Sequence, residues 1–146
     1  MEFDYDKECE RMREKNEKYI DEFVADLNKA GLSPKTIERH RSNVDFYINQ
    51  YLFTYDVLEM EEGCKKLDDF FGYYFITKCM WSTPGEIKST AASFKKFYKC
   101  MLANGHIKKE SYDELCYTIK EEMEDWQATC AAYDDPSAED PFDIFF

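Results

Sequence analysis

Apolar residues recur at helical spacing along most of the chain. From Asp4 to Ala30, Cys9, Met12, Tyr19, Ile20, Phe23, Val24 and Leu27 fall at spacings of three, four and seven with charges between them. This predicts one long amphipathic helix. Gly31 reads as its terminator, and Ser33-Pro34 as the N-cap and first-turn proline of a second helix,. The second helix buries Ile37, Val44, Tyr47, Ile48 and Tyr51 on one stripe and should run to about Phe53. After a connection over Thr54 to Glu59, a third and very aromatic helix is expected from about Met60 to Trp81. Gly63 and Gly72 weigh against its continuity, each costing about 1 kcal/mol against alanine in a helix interior. The fourth helix is the best punctuated, with Thr83 and Glu86 at capping-box spacing, Pro84 in the first turn and Asn104-Gly105 at the end,. A fifth begins with a second capping-box pattern, Ser111 and Glu114, and carries a stripe from Leu115 through Trp126 to Cys130, ending near Ala132. The pattern therefore predicts an all-α chain: one helical domain over residues 1–133 and an acidic tail over 134–146.

The second and fourth helices superimpose at an offset of fifty residues. Ser33/Thr83, Pro34/Pro84, Ile37/Ile87, Val44/Phe94, Tyr47/Phe97, Ile48/Tyr98 and Leu52/Leu102 match in type. Two readings stand: coincidence between amphipathic helices, or two hairpins that each present a helix of the same kind.

Charge changes the picture more than composition does. The net charge is −12, yet residues 110–146 hold twelve acids against Lys120 alone. Within the rest, Lys88, Lys95, Lys96, Lys99, Lys108 and Lys109 face only Glu86 between Pro84 and Lys109. A basic region thus persists inside an acidic total. Hydrophobic residues make up 44% of the chain, enough for a core, and no apolar run approaches the roughly 18 to 20 residues of a bilayer span,. With a charged N-terminus unlike a signal peptide, a cytoplasmic protein is expected. Six cysteines without a CxxC pair are read as small buried hydrophobes, and no zinc or other metal is expected,.

Leu32-Ser-Pro-Lys-Thr-Ile37, followed by Val44, Phe46-Tyr47 and Leu52, resembles the second helix of the core-binding, SAM-like domain of tyrosine recombinases of the phage-integrase type. The run from Ser89 through Phe94, Phe97-Tyr98 and Leu102 to Ile107 resembles that domain's fourth helix and the following turn. The resemblance covers roughly Phe23 to Ile107. It implies a four-helix domain of two crossed hairpins, here extended by a fifth helix, whose second and fourth helices lie against DNA. The matching positions are Ser33, Lys35, Thr36 and Arg39 on one helix, and Lys88, Ser89, Lys95 and Lys96 on the other. Those types suit phosphate contact, because free N–H groups and hydroxyls at a helix start bind anions and nearby cations release counterions. No base readout is implied.

The departure from that family is large. Its chemistry resides in a second domain with two arginines, a His-x-x-Arg motif and a tyrosine nucleophile, for which no room is expected here. His106-Ile-Lys-Lys109 only mimics the motif, and it lies in a turn. No carboxylate pair, glycine-rich phosphate loop or nucleophile-plus-base pattern stands out, so neither catalysis nor a cofactor is expected. His40, between Arg39 and Arg41, reads as a surface residue. The Phe70, Phe71, Tyr74 and Phe75 series reads as core rather than as a base-stacking platform. Two main function classes follow, a weak, mostly sequence-independent DNA binder or recombination accessory and a protein-interaction module that kept the fold and lost DNA, beside a third reading as a mobile-element relic with no present activity. In the second, the acidic fifth helix and the terminal FDIFF would hold a partner or a second copy of the chain.

Overall fold

The computed structural model describes residues 3–142. Its order is α1 (Tyr5–Lys29), α2 (Pro34–Asn49), a 3-10 turn (Tyr51–Phe53), a second 3-10 segment (Met60–Lys65), α3 (Leu67–Asp69), a π-helical turn (Phe70–Tyr74), α4 (Phe75–Lys78), α5 (Pro84–Ala103) and α6 (Lys109–Asp134). The described residues contain no strand, as the all-α reading expects. No helix among them is long and apolar enough to cross a membrane.

The caps act where the sequence placed them. Ser33 Oγ accepts the Thr36 N–H at 3.3 Å, and Thr83 Oγ1 accepts the Glu86 N–H at 3.0 Å. Gly31 and Gly105 end the preceding helices at φ of 80° and 78°, a region that favours glycine,. The α1–α2 hairpin is antiparallel and tied at its far end by Asn16, whose Nδ2 donates to the Ile48 carbonyl (3.1 Å) and Asn49 Oδ1 (2.8 Å). A second antiparallel pair is α5 with α6, where Gln127 Nε2 donates to the Pro84 carbonyl at 3.0 Å. Five of the six cysteines are buried and Cys116 is half-buried. Burial pushes the Cys64 thiol up to about 12 and those of Cys79, Cys100 and Cys130 up to about 11, as befits hydrophobes.

Three expectations are corrected. The second helix stops at Asn49 rather than near Phe53: Gln50 leaves helical geometry at φ −129° and ψ −61°, and the buried Tyr51, Leu52 and Phe53 continue as a 3-10 turn. Ser111 does not cap the last helix, which begins two residues earlier at Lys109. Glu61 from the second 3-10 segment does so instead, accepting the Lys108 N–H (2.8 Å) and the Ser111 hydroxyl (3.0 Å) and placing a carboxylate at the positive helix end,.

The third expected helix, Met60 to Trp81, is broken into 3-10, α, π and α pieces. Gly63 lets the first piece pack close to the core. A Cβ there would collide with the Tyr98 hydroxyl and lie 2.8 Å from Tyr47 Cε2. The Tyr47 hydroxyl donates to the Gly63 carbonyl at 2.6 Å, and Tyr98 donates to the Met60 carbonyl at 2.8 Å. Two core tyrosines thus fix this segment by its backbone. Gly63→Ala is expected to destabilise the protein by about 1–3 kcal/mol through overpacking. A urea midpoint equal to that of the parent would contradict this packing. Further along, the π turn closes with the Phe75 N–H on the Phe70 carbonyl and lets Phe70, Phe71 and Phe75 all be buried. Tyr47, Phe70 and Phe94 meet at the centre, with ring centroids 4.4 to 5.6 Å apart.

Candidate nucleic-acid interface

Helices α2 and α5 lie side by side and run in the same direction. Arg39 Nη1 donates to Ser89 Oγ at 2.8 Å, each residue being the sixth of its helix. Further along both helices, Asn43 Nδ2 donates to Ser93 Oγ at 3.0 Å, and Tyr47 packs on Phe94. The offset of fifty residues seen in the sequence is therefore a contact register. It joins 39 to 89 and 43 to 93.

This register brings Arg39 against Ser89, while the other candidate residues are spread along the two helices. Ser33, Lys35 and Arg39 are exposed and Thr36 is half-buried on α2; Lys88, Lys95 and Lys96 are exposed and Ser89 is half-buried on α5. None of Lys35, Arg39, Lys88, Lys95 and Lys96 has a carboxylate partner within ion-pair distance among the described residues. Their neighbour Arg41, in contrast, pairs with Glu38 at 2.6 Å.

The helix starts contribute less than their sequence suggests. Ser33 already takes the Thr36 N–H and donates its own hydroxyl to Thr36 Oγ1 at 2.9 Å. The Ile37 N–H bonds the Ser33 carbonyl, and Pro34 has no N–H to offer,. The start of α5 is used up in the same way by Thr83 and Pro84. Side-chain cations, not clustered backbone donors, carry the positive character of this face.

His40 is a correction: it is buried, not on the surface. Its Nδ1 shares a 2.7 Å hydrogen bond with Ser93 Oγ, inside the α2–α5 seam. Burial first, then the charges of Arg39 and Lys96, push its pKa below the usual value. Ser93, fully buried between Asn43 and His40, was not singled out from the sequence, although the offset of fifty leads directly to it. His106 lies at the turn after α5 as expected, with Nε2 2.9 Å from Glu22 Oε2 on α1.

The acidic charge lies on α6, beside α5, and in two clefts next to it. Glu61, Glu62, Glu110 and Glu114 line a cleft between the second 3-10 segment and the start of α6. Asp68, Asp69, Glu122 and Asp125 line a shallow groove between the π turn and α6. No group of His, Cys, Asp and Glu among the described residues is arranged to hold a metal ion. Although α6 packs along α5, none of its carboxylates pairs with an α5 lysine among the described residues. Beyond α6, Phe142 packs against Tyr73 and Tyr133, at centroid distances of 5.2 and 6.0 Å. The rest of the FDIFF segment lies outside the described residues.

No family model, curated protein or solved structure matches the chain.

Proposed function

We propose that this chain is a non-catalytic DNA-binding protein resembling the core-binding, SAM-like domain of tyrosine recombinases, and that it serves as an accessory in DNA recombination or integration. It holds the phosphate backbone with α2 and α5. The observation that supports this reading is the Arg39–Ser89 hydrogen bond, which holds α2 beside α5, two helices whose Lys35, Lys88, Lys95 and Lys96 have no carboxylate partners among the described residues. Cations free of internal partners lose little on meeting phosphate and release counterions. Binding is expected to be weak and largely indifferent to sequence, because backbone contacts position a protein without reading bases.

Fluorescence anisotropy with a short DNA duplex tests it. With about four phosphate contacts, affinity should fall about 100-fold between 50 and 200 mM salt. Absence of binding at tens of micromolar in low salt would sink the proposal. The rival reading, a protein-interaction module on the same fold, draws support from the exposed acids of α6 around the exposed Tyr117. It predicts no duplex binding at either salt concentration.

A further inference from the structure

We propose that the cleft beside Trp81 receives an unpaired nucleobase, so that the nucleic acid this face prefers is single-stranded rather than duplex. The inference rests on the phosphate-binding reading above and specifies its ligand.

The cleft, of about 420 Å³, opens between α2, the end of α4 and the start of α5. Its apolar wall is Phe46, Phe75 and Trp81, and its rim includes Asn43, Asp45 and Gln50. The size lies at the lower end of ligand pockets, roughly 300–1,000 Å³. Trp81 is 54% exposed despite being gripped on two sides, edge to face with Phe46 (5.7 Å, 76°) and Phe75 (6.3 Å, 81°). An indole held in place with much of its surface in solvent is a stacking platform whose ordering cost is already met by folding. Met80 beside it is fully exposed.

The cleft continues the cationic face. On α2, Lys35, Arg39, Asn43 and Phe46 follow one another at intervals of four, four and three residues, which places them on one stripe that Gln50 continues at the C-cap,. The first two carry charge, and the last three line the cleft. Arg39 and Asn43 are four residues apart, about 6 Å along the axis, a step that the sugar of a nucleotide can bridge. A phosphate at Arg39 would thus deliver its base towards Trp81.

The rim favours a base over an apolar peptide side chain. Asn43 Nδ2 is committed to Ser93, which leaves its carbonyl oxygen as an acceptor,. Asp45 accepts the Asn49 amide at 2.8 Å on one oxygen and keeps the other. Acceptors of this kind suit the exocyclic amino groups of cytosine, adenine or guanine and leave thymine the poorest fit. Bases in a duplex are stacked and paired, so only an unpaired one can enter.

Intrinsic fluorescence tests this without any substitution. Trp81 is one of two tryptophans, and the other, Trp126, is 2% exposed, so quenching on binding reports on Trp81. The full chain is titrated at about 50 mM salt with a short cytosine-rich single strand and with a duplex of the same length. The single strand is expected to bind at least about fivefold tighter and to quench the emission, in line with base–aromatic stacking. Trp81→Ala should remove that preference and keep duplex affinity. Duplex binding as tight as single-strand binding, with no quenching, would overturn the inference and leave the phosphate-binding proposal standing. Failure to bind either ligand would overturn both.

Discussion

Trp126→Ala is expected to lower the unfolding free energy by about 3–5 kcal/mol, the range for removing a large aromatic from a core. Its ring packs on Phe71 at 5.0 Å, and its Nε1 donates to Asp68 Oδ1 at 2.9 Å. The indole also covers Gly72, where a Cβ would meet its Cδ1 at 3.5 Å. One side chain therefore joins α6 to the π turn of the irregular third segment. Losing it opens a cavity against Phe71 and removes the only tryptophan donor to that carboxylate. Urea unfolding followed by circular dichroism should show a lower midpoint with an unchanged slope. Tyr117→Ala, on the exposed side of the same helix, should stay within about 0.5 kcal/mol of the parent. If Trp126→Ala cost no more than Tyr117→Ala, α6 would be an appendage and not part of the core. The expected cost is a large fraction of the total stability of a small domain, roughly 5–15 kcal/mol. A chain cut after Lys109 would lose Leu115 as well as Trp126, so nucleic-acid binding is best measured on the whole chain.

The regular helices could be read from the sequence because their signals are local. Asp4, Ser33-Pro34 and Thr83-Pro84 mark starts, Gly31 and Gly105 mark ends, and each cap acts within three residues of itself. The third segment could not be read in this way. Its aromatic spacing imitates a continuous helix, whereas its course is set by Tyr47 and Tyr98 reaching Gly63 and Met60 from other helices. The cap of α6 was hidden for the same reason, since Glu61 lies 47 residues before the Lys108 N–H it accepts. Local pattern pointed to Ser111, and a distant carboxylate does the work. The candidate site falls between these cases. Its cations were evident from composition, but the side-by-side packing of the two helices that carry them depends on the α2–α5 register, of which the offset of fifty was the trace. Burial of His40 follows from the same register: the face of α2 that meets Ser93 is set by packing, and two flanking arginines say nothing about it.

Lys95→Glu combined with Lys96→Glu is expected to weaken binding of a short duplex more than tenfold at about 50 mM salt and to flatten the salt slope by about two. Both lysines are exposed one to two turns past Ser89, and neither has an ion-pair partner to lose among the described residues. The substitution should therefore leave stability nearly unchanged, which circular dichroism can check. The informative comparison is Lys65→Glu with Lys108→Glu, which changes the net charge by the same amount beside the acidic cleft of Glu61, Glu62 and Glu114. In a protein of net charge −12, a general loss of attraction to DNA would affect both pairs alike. A local interface would not, because charges beyond a Debye length of about 10 Å at 0.1 M salt are largely screened. The α5 pair should lose affinity steeply, and the acidic-cleft pair by less than about threefold at that salt. Equal losses would mean that DNA responds to the overall charge of the molecule and would remove the case for a site on α2 and α5. A selective loss would mean that the lysines of α5 act independently of the acids on α6, with which they form no ion pair among the described residues.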